Sequence, residues 1–104
     1  MNNHLQTFFG LVQLRVTVTI PAALRQYTQD NSEISLDAVT VEQAVSRLDE
    51  MFPGLKAFIL DEDRQVRRYV NIFVNKNEIR QGEGLNTKLK DGDRLQIIPA
   101  VAGG

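Results

Sequence analysis

Residues 40–54, TVEQAVSRLDEMFPG, encode an amphipathic helix near the middle of this 104-residue chain. Thr40 is a good N-cap, and Gln43 stands three residues later, where a capping box places Glu or Gln. Pro53-Gly54 ends the helix. Apolar residues recur at helical spacing and predict one buried face, made of Val41, Ala44, Val45, Leu48, Met51 and Phe52. Because such a stripe is usually core, we interpret it as core rather than as a cofactor site.

Strands are predicted on both sides of this helix from alternating apolar and polar side chains. We place them at residues 14–20, 33–37, 70–74, 78–80 and 94–98, with Pro21 ending the first and the turn Asn75-Lys76-Asn77 closing the third. The first two strands are expected to pair. One helix across one face of a mixed sheet of four to five strands buries all of these stripes.

This order of elements predicts an α+β domain with the ubiquitin-like β-grasp fold over residues 14–98. We expect an N-terminal extension over residues 1–13 and a flexible Gly-Gly tail over residues 99–104. The fold alone does not give a function, because it serves modifiers, adaptors and sulfur carriers alike.

Composition excludes several classes of function. The 12 basic and 13 acidic residues leave a formal net charge of −1, which gives no electrostatic reason to expect nucleic-acid binding. The absence of cysteine excludes disulfides, cysteine-ligated metals and thiol nucleophiles. The one histidine, His4, lies in a polar N-terminal stretch, so we expect no histidine-based catalytic or metal site. No apolar run approaches a membrane span and no secretory signal is evident, so we expect a cytoplasmic protein without membrane contact.

The C-terminal tail is the first feature that packing does not explain. Only small residues follow Pro99, namely Ala100, Val101, Ala102, Gly103 and Gly104. The six residues from Pro99 reach at most ~20 Å, and such a tail could thread a narrow channel to present its carboxylate inside another enzyme. A frayed terminus is the structural alternative, since chain ends are commonly Gly-rich. Gly-Gly directly after the last strand of a β-grasp chain favours a function.

The second feature is apolar surface on the sheet. Phe73 and Ile98 point opposite to the apolar stripes of their strands, so we expect both on the face away from the helix. Neighbouring exposed apolar groups often mark a partner surface. The alternative is that the N-terminal extension, with Phe8 and Phe9, folds over them. The basic stretch 64–68 follows three acidic residues, and we interpret it first as a self-compensating loop and second as a docking patch.

These residues resemble the MoaD/ThiS-type sulfur carriers. The resemblance covers nearly the whole chain from Leu14, and its specific parts are Val70 to Asn75, Ile79-Arg80, Gly84-Leu85, Leu89, Asp91-Gly92-Asp93 and Ile98 to Gly104. Within the family, the chain is most similar to the carriers of thiocarboxylate-dependent cysteine biosynthesis. That likeness rests on Val18 to Arg25, Arg68 to Ile72 and Pro99 to Gly104. Residues 1–13 are a departure from the family pattern.

The resemblance implies a mechanism centred on Gly104. A ubiquitin-activating-type adenylyltransferase would use ATP to adenylate the terminal carboxylate, and a sulfur donor would convert it to a thiocarboxylate. A sulfur-accepting enzyme would then take the sulfur, for the cysteine pathway onto an aminoacrylate formed from O-phosphoserine on a pyridoxal phosphate enzyme. The chain would be a protein cosubstrate rather than an enzyme, with no bound cofactor and no metal. Phe73 and Ile98 would form part of the docking surface.

Three alternatives stay open at this point. The chain could be the small subunit of molybdopterin synthase, delivering sulfur to a pterin precursor. It could be a ubiquitin-like modifier whose Gly104 is joined to lysines of target proteins, or an interaction domain with an inert tail. Only the carriers and the modifier need Gly104, so shortening the tail separates them from the inert domain.

Overall fold

The last strand of the chain occupies the middle of the sheet. A computed structural model describes residues 14–99, and its five strands lie in the order β2-β1-β5-β3-β4. The strands are β1 (Arg15–Thr19), β2 (Glu33–Asp37), β3 (Val70–Val74), β4 (Asn77–Glu78) and β5 (Arg94–Pro99). β1 and β5 are parallel, and the other neighbours are antiparallel, so the sheet is mixed as predicted. The predictions for residues 1–13 and 100–104 lie outside the described residues.

One main helix, α1 (Val41–Met51), covers one face of the sheet. Thr40 Oγ1 accepts a hydrogen bond from the Gln43 N–H at 3.1 Å, which confirms the predicted N-cap. Gln43 Oε1 in turn accepts from the Val39 N–H at 2.7 Å, one residue earlier than a standard capping box. The side chains of Val41, Ala44, Val45 and Leu48 are fully buried.

The predicted core stripe is wrong for Met51, whereas Phe52 is partly buried against the core. Met51 is the final residue of α1 and is 49% exposed, and Phe52 only packs against the edge of the core. α1 ends here, because Gly54 has a φ of 100° and turns the chain into a second helix, α2 (Lys56–Ile59). Asp49 Oδ1 holds this turn by accepting from the backbone N–H groups of Gly54 and Lys56, each at 3.1 Å.

The segment after α1 contributes core residues that the sequence pattern did not reveal. Leu55 and Ile59 are fully buried, and Leu60 is 4% exposed. The predicted return strand at 78–80 is also corrected. β4 ends at Glu78, and Ile79 starts a 3₁₀ helix, Ile79–Gln81, that turns its side chain into the core. Further 3₁₀ helices lie at Ala22–Tyr27 and Gly84–Asn86.

Two predictions about strand ends can be compared with the structure. Asn75 has a φ of 56°, the left-handed conformation expected for the turn after β3. Pro99, which we assigned to the tail, is the last residue of β5 and is paired with Val70. No helix within residues 14–99 is long and apolar enough to cross a membrane.

Candidate functional site

The root of the tail is fixed in the central strand. Pro99 is paired with Val70 on β3, and the neighbouring Ile97 is 2% exposed in the core. On its other side, β5 pairs with β1 only from Arg94 to Gln96, so the strand projects past the end of β1. The predicted tail residues Ala100, Val101, Ala102, Gly103 and Gly104 lie outside the described residues. The fold therefore fixes where the tail starts.

Phe73 and Ile98 lie on the face of the sheet away from α1, which we call the open face. Phe73 is paired with Gln96, and Ile98 is paired with Asn71. The two apolar side chains are therefore diagonal neighbours, for which separations of about 7–8 Å are usual. Ile98 is 44% exposed, whereas Phe73 is half-buried. The structure brings both together as expected, and their binding of a partner stays a prediction.

The open face is divided into a charged half and an apolar half. On β1 and β2, Arg15 lies 3.6 Å from Asp37. Arg94, on β5, lies 2.7 Å from Glu33 Oε2 on β2. The Arg94–Glu33 pair is a hydrogen bond, whereas Asp37 Oδ1 has only the ion pair with Arg15 and makes no hydrogen bond within residues 14–99. Phe73 and Ile98 occupy the other half, next to the start of the tail.

Arg80 supports the apolar half from the edge. Its guanidinium donates to Asn71 Oδ1 at 3.0 Å, to the Arg67 carbonyl at 2.7 Å and to the Val66 carbonyl at 3.3 Å. Asn71 is paired with Ile98, so Arg80 fixes the Asn71 side chain next to Phe73 and Ile98, which we call the apolar patch. Arg80 also connects the 64–68 segment to β3. Nothing in the sequence marked these contacts, because they join residues nine to fourteen positions apart.

The basic stretch 64–68 is largely engaged with its own domain. Arg67 Nε donates to the Ala57 carbonyl at 2.9 Å, and Arg64 lies 3.8 Å from Glu42. Neither contact is with the acidic residues 61–63, so these contacts do not confirm the self-compensating loop, and the docking patch stays untested. Tyr69, directly after this stretch, is 57% exposed beside the Val70–Pro99 pair. It adds aromatic surface at the tail root that the sequence analysis did not single out.

A second feature at the tail root is an open groove of about 450 Å³, here called the tail-root groove. It lies where the 3₁₀ helix Ala22–Tyr27 passes the end of β5. It is lined by residues 19–23, Arg25 and residues 96–99, so its walls are mostly apolar. No local sequence pattern marks this groove, because its two walls come from opposite ends of the domain.

The Asp91-Gly92-Asp93 motif ties strands together rather than forming a reactive site. Asp93 accepts hydrogen bonds from Asn75 Nδ2 at 3.0 Å and from the Lys90 N–H at 2.8 Å. Asp91 Oδ1 accepts from the Arg15 N–H at 2.9 Å. Within residues 14–99, no cluster of three or more His, Cys, Asp or Glu side chains could hold a metal ion. The reactive role of the tail stays a prediction.

Known proteins resemble the chain over most of its length. The sulfur carrier protein CysO of Mycobacterium tuberculosis is 37% identical over 93 residues, which cover 88% of this chain and 100% of the relative. The crystal structure of the BexX/CysO complex of Amycolatopsis orientalis contains a chain 37% identical to this one, with a TM-score of 0.81, covering 86% of this chain and 99% of that one. The solution structure of the small archaeal modifier protein SAMP1 of Methanosarcina acetivorans is 35% identical, with a TM-score of 0.74, covering 88% and 98%.

These neighbours confirm the ubiquitin-like β-grasp fold. The model of the ThiS family matches residues 18–104, which include the predicted tail. The match places the chain with sulfur carriers rather than with catalysts. The chain belongs to the ThiS family, the ThiS/MoaD-type ubiquitin-like sulfur carriers.

Proposed function

We propose that this chain carries sulfur as a thiocarboxylate on Gly104 and delivers it to cysteine biosynthesis in the cytoplasm. The observation that carries the proposal is the tail of small residues directly after Pro99, at the end of the central strand of a ThiS-family domain. The similarity to CysO over all of that relative favours the cysteine pathway over the molybdopterin pathway.

The chemistry requires activation of the carboxylate by a partner. A C-terminal carboxylate has a reference pKa of about 3.3–3.7, so it is ionised at neutral pH and is a poor electrophile. One carboxylate oxygen attacks the α-phosphorus of ATP and releases pyrophosphate. Sulfide from a donor then attacks the acyl carbon, AMP leaves, and the thiocarboxylate remains on Gly104. A cysteine-free chain can carry sulfur in this way because the backbone terminus holds it.

The chain itself contributes position rather than acid–base catalysis. β3 and β5 fix the tail root, and a tail without bulky side chains leaves room for the terminal carbonyl in two different active sites. A misplacement of ~1 Å at the reacting atoms can cost on the order of 100-fold in rate. We propose that the adenylyltransferase and the sulfur-accepting enzyme, of the pyridoxal phosphate type, dock on Phe73 and Ile98. The chain is a cosubstrate of both.

The decisive experiment is intact-mass analysis after reaction with a purified ubiquitin-activating-type adenylyltransferase, ATP and sulfide. We expect replacement of one oxygen by sulfur, with tandem fragmentation placing the mass on Gly104. The matched controls are deletion of Gly104 and addition of one residue after it, both of which should abolish sulfur transfer at an unchanged melting temperature. Mass gain on Met1 or Met51, or sulfur transfer by the deletion variant, contradicts the proposal.

A second candidate function is protein modification. It is favoured by the 35% identity and the TM-score of 0.74 with the SAMP1 of Methanosarcina acetivorans. In that case the activated Gly104 would form an amide with a lysine of a target protein and would not accept sulfide. Conjugates of higher mass that depend on ATP and Gly104, without the thiocarboxylate, would select this function over sulfur transfer.

A further inference from the structure

We propose that the tail-root groove binds a segment of the adenylating enzyme. This segment, here called the rim element, lies at the entrance to the active site of that enzyme and presents an aliphatic side chain next to a carboxylate. This inference rests on the proposed function and extends the docking surface from Ile98, which also lines the groove, to the 3₁₀ helix Ala22–Tyr27. The groove lies on the side of β5 that faces the 3₁₀ helix Ala22–Tyr27, whereas Phe73 lies on β3.

The length of the tail requires the adenylating enzyme to contact the carrier close to the tail-root groove. Five residues follow Pro99, and fully extended they span at most ~18 Å. An enzyme that holds the Gly104 carboxylate against the α-phosphate of ATP must enclose most of that length. Its entrance therefore reaches the tail root, where Ile98 and Pro99 form one wall of the groove.

The residues that line the groove indicate which kind of partner side chain it can bind. Pro21, Ala22 and Ala23 form the wall opposite Ile98 and Pro99, so the cleft is apolar and its side chains are short. A partner side chain that fills it must be apolar as well, because an uncompensated polar group would lose its hydration there. An aliphatic side chain of the partner satisfies this condition.

Arg25 supplies the charge. It is the one charged residue among those that line the groove. Its Nε donates to the Ile20 carbonyl at 3.1 Å, which orients the guanidinium. Within residues 14–99, Nη1 and Nη2 of Arg25 make no hydrogen bond or ion pair. Two parallel N–H donors in fixed geometry match a carboxylate, so the rim element is expected to carry Asp or Glu.

The carrier's own tail is a weaker occupant. Folding back would fix several backbone residues, each at a conformational cost that the burial of one Val and two Ala side chains offsets poorly. A partner segment that is already ordered in its own enzyme avoids this cost. A second copy of the chain is the remaining alternative.

The test measures adenylyltransferase binding by calorimetry in the presence of a non-hydrolysable ATP analogue. Arg25→Glu should weaken binding at least about tenfold, and Arg25→Gln should reduce the salt dependence of the affinity. Ala22→Trp, which fills the groove from an exposed position, should weaken binding to a similar degree. Arg47→Glu, an exposed charge reversal on α1, is the matched control and should bind as the wild type does.

The outcomes separate this inference from the proposed function. If the wild type forms the thiocarboxylate and Arg25→Glu and Ala22→Trp bind as tightly as Arg47→Glu, the groove does not bind the rim element and sulfur transfer still stands. If the wild type forms no thiocarboxylate, the proposed function is wrong, and the inference that rests on it is wrong as well. Faster thiocarboxylate formation in the groove variants would identify the tail as occupant, and a wild-type dimer that Arg25→Glu dissociates would identify a second copy. Either result overturns the inference.

Discussion

Arg80→Met should destabilise the domain by about 2–3 kcal/mol, because one guanidinium joins three acceptors from two segments. Its donor distances are 3.0 Å to Asn71 Oδ1, 2.7 Å to the Arg67 carbonyl and 3.3 Å to the Val66 carbonyl. A hydrogen bond from a charged group contributes ~1.5–3 kcal/mol when it is shielded from water. The side chain of Arg80 is 38% exposed, so water screens and replaces part of these contacts, and the sum is reduced to about one such bond.

Glu78 adds a second reason for the cost. Its side chain is only 15% exposed, its Oε2 accepts no hydrogen bond within residues 14–99, and Arg80 Nη1 lies 3.8 Å away. Removing Arg80 leaves this carboxylate desolvated without a neighbouring cation, which is unfavourable. Glu78→Gln introduced into Arg80→Met should therefore restore about 1 kcal/mol, because a neutral amide costs less to desolvate than an unpaired carboxylate.

Urea unfolding followed by far-UV circular dichroism measures both changes. In a domain of this size, 1 kcal/mol corresponds to a change of about 4–8 °C in melting temperature, so Arg80→Met should melt roughly 10–20 °C lower. Arg64→Met is the matched control, because Arg64 is 72% exposed and makes one ion pair, at 3.8 Å from Glu42. It should stay within about 0.5 kcal/mol of the wild type. An Arg80→Met protein as stable as Arg64→Met would refute the role given to these contacts.

Two further predictions concern the core and the apolar patch. Leu48→Ala, at a fully buried position, should lower the free energy of unfolding by roughly 2–5 kcal/mol in denaturant melts. Met51→Ala, at a position 49% exposed, should lower it much less. Similar losses in both variants would place Leu48 outside the core. Phe73→Ala should weaken adenylyltransferase binding by more than about 1 kcal/mol in calorimetry if Phe73 is an anchor. Val39→Ala, at an apolar position that is 50% exposed, should bind as the wild type does. Equal affinities of the Phe73 variant and the wild type would reject the patch as a docking surface.

The sequence predicted the elements whose signals are local and long. Alternation placed β1, β2, β3 and β5 within one residue or so at each end, and the cap at Thr40 marked the start of α1. The four-residue helix α2 is too short to show a period, so the buried Leu55 and Ile59 were missed. Met51 fits the helical stripe, but its exposure is decided by where the chain turns away from the sheet.

The features of the candidate site with a local sequence signal were predictable, and those without one were not. The outward direction of Phe73 and Ile98 follows from the period of two along a strand, so it was predictable. The contacts of Arg80 and the tail-root groove depend on segments that meet only in the folded domain, and no local pattern encodes them. The assignment of Gly104 comes from the tail sequence and the family, and it stays a prediction.

The central position of β5 also bears on how the chain is made. The ribosome delivers β1 first and β5 last, yet the two lie side by side in the finished sheet. Until β5 emerges, the β1–β2 and β3–β4 hairpins have no strand between them, and their unpaired edges are open to association with other chains. Pairing of strands that are far apart in the sequence is intrinsically slow, so we expect insertion of β5 between β1 and β3 to be a late step of folding. Since β5 leads directly into the tail, the start of the tail reaches its place in the fold only when β5 has inserted between β1 and β3.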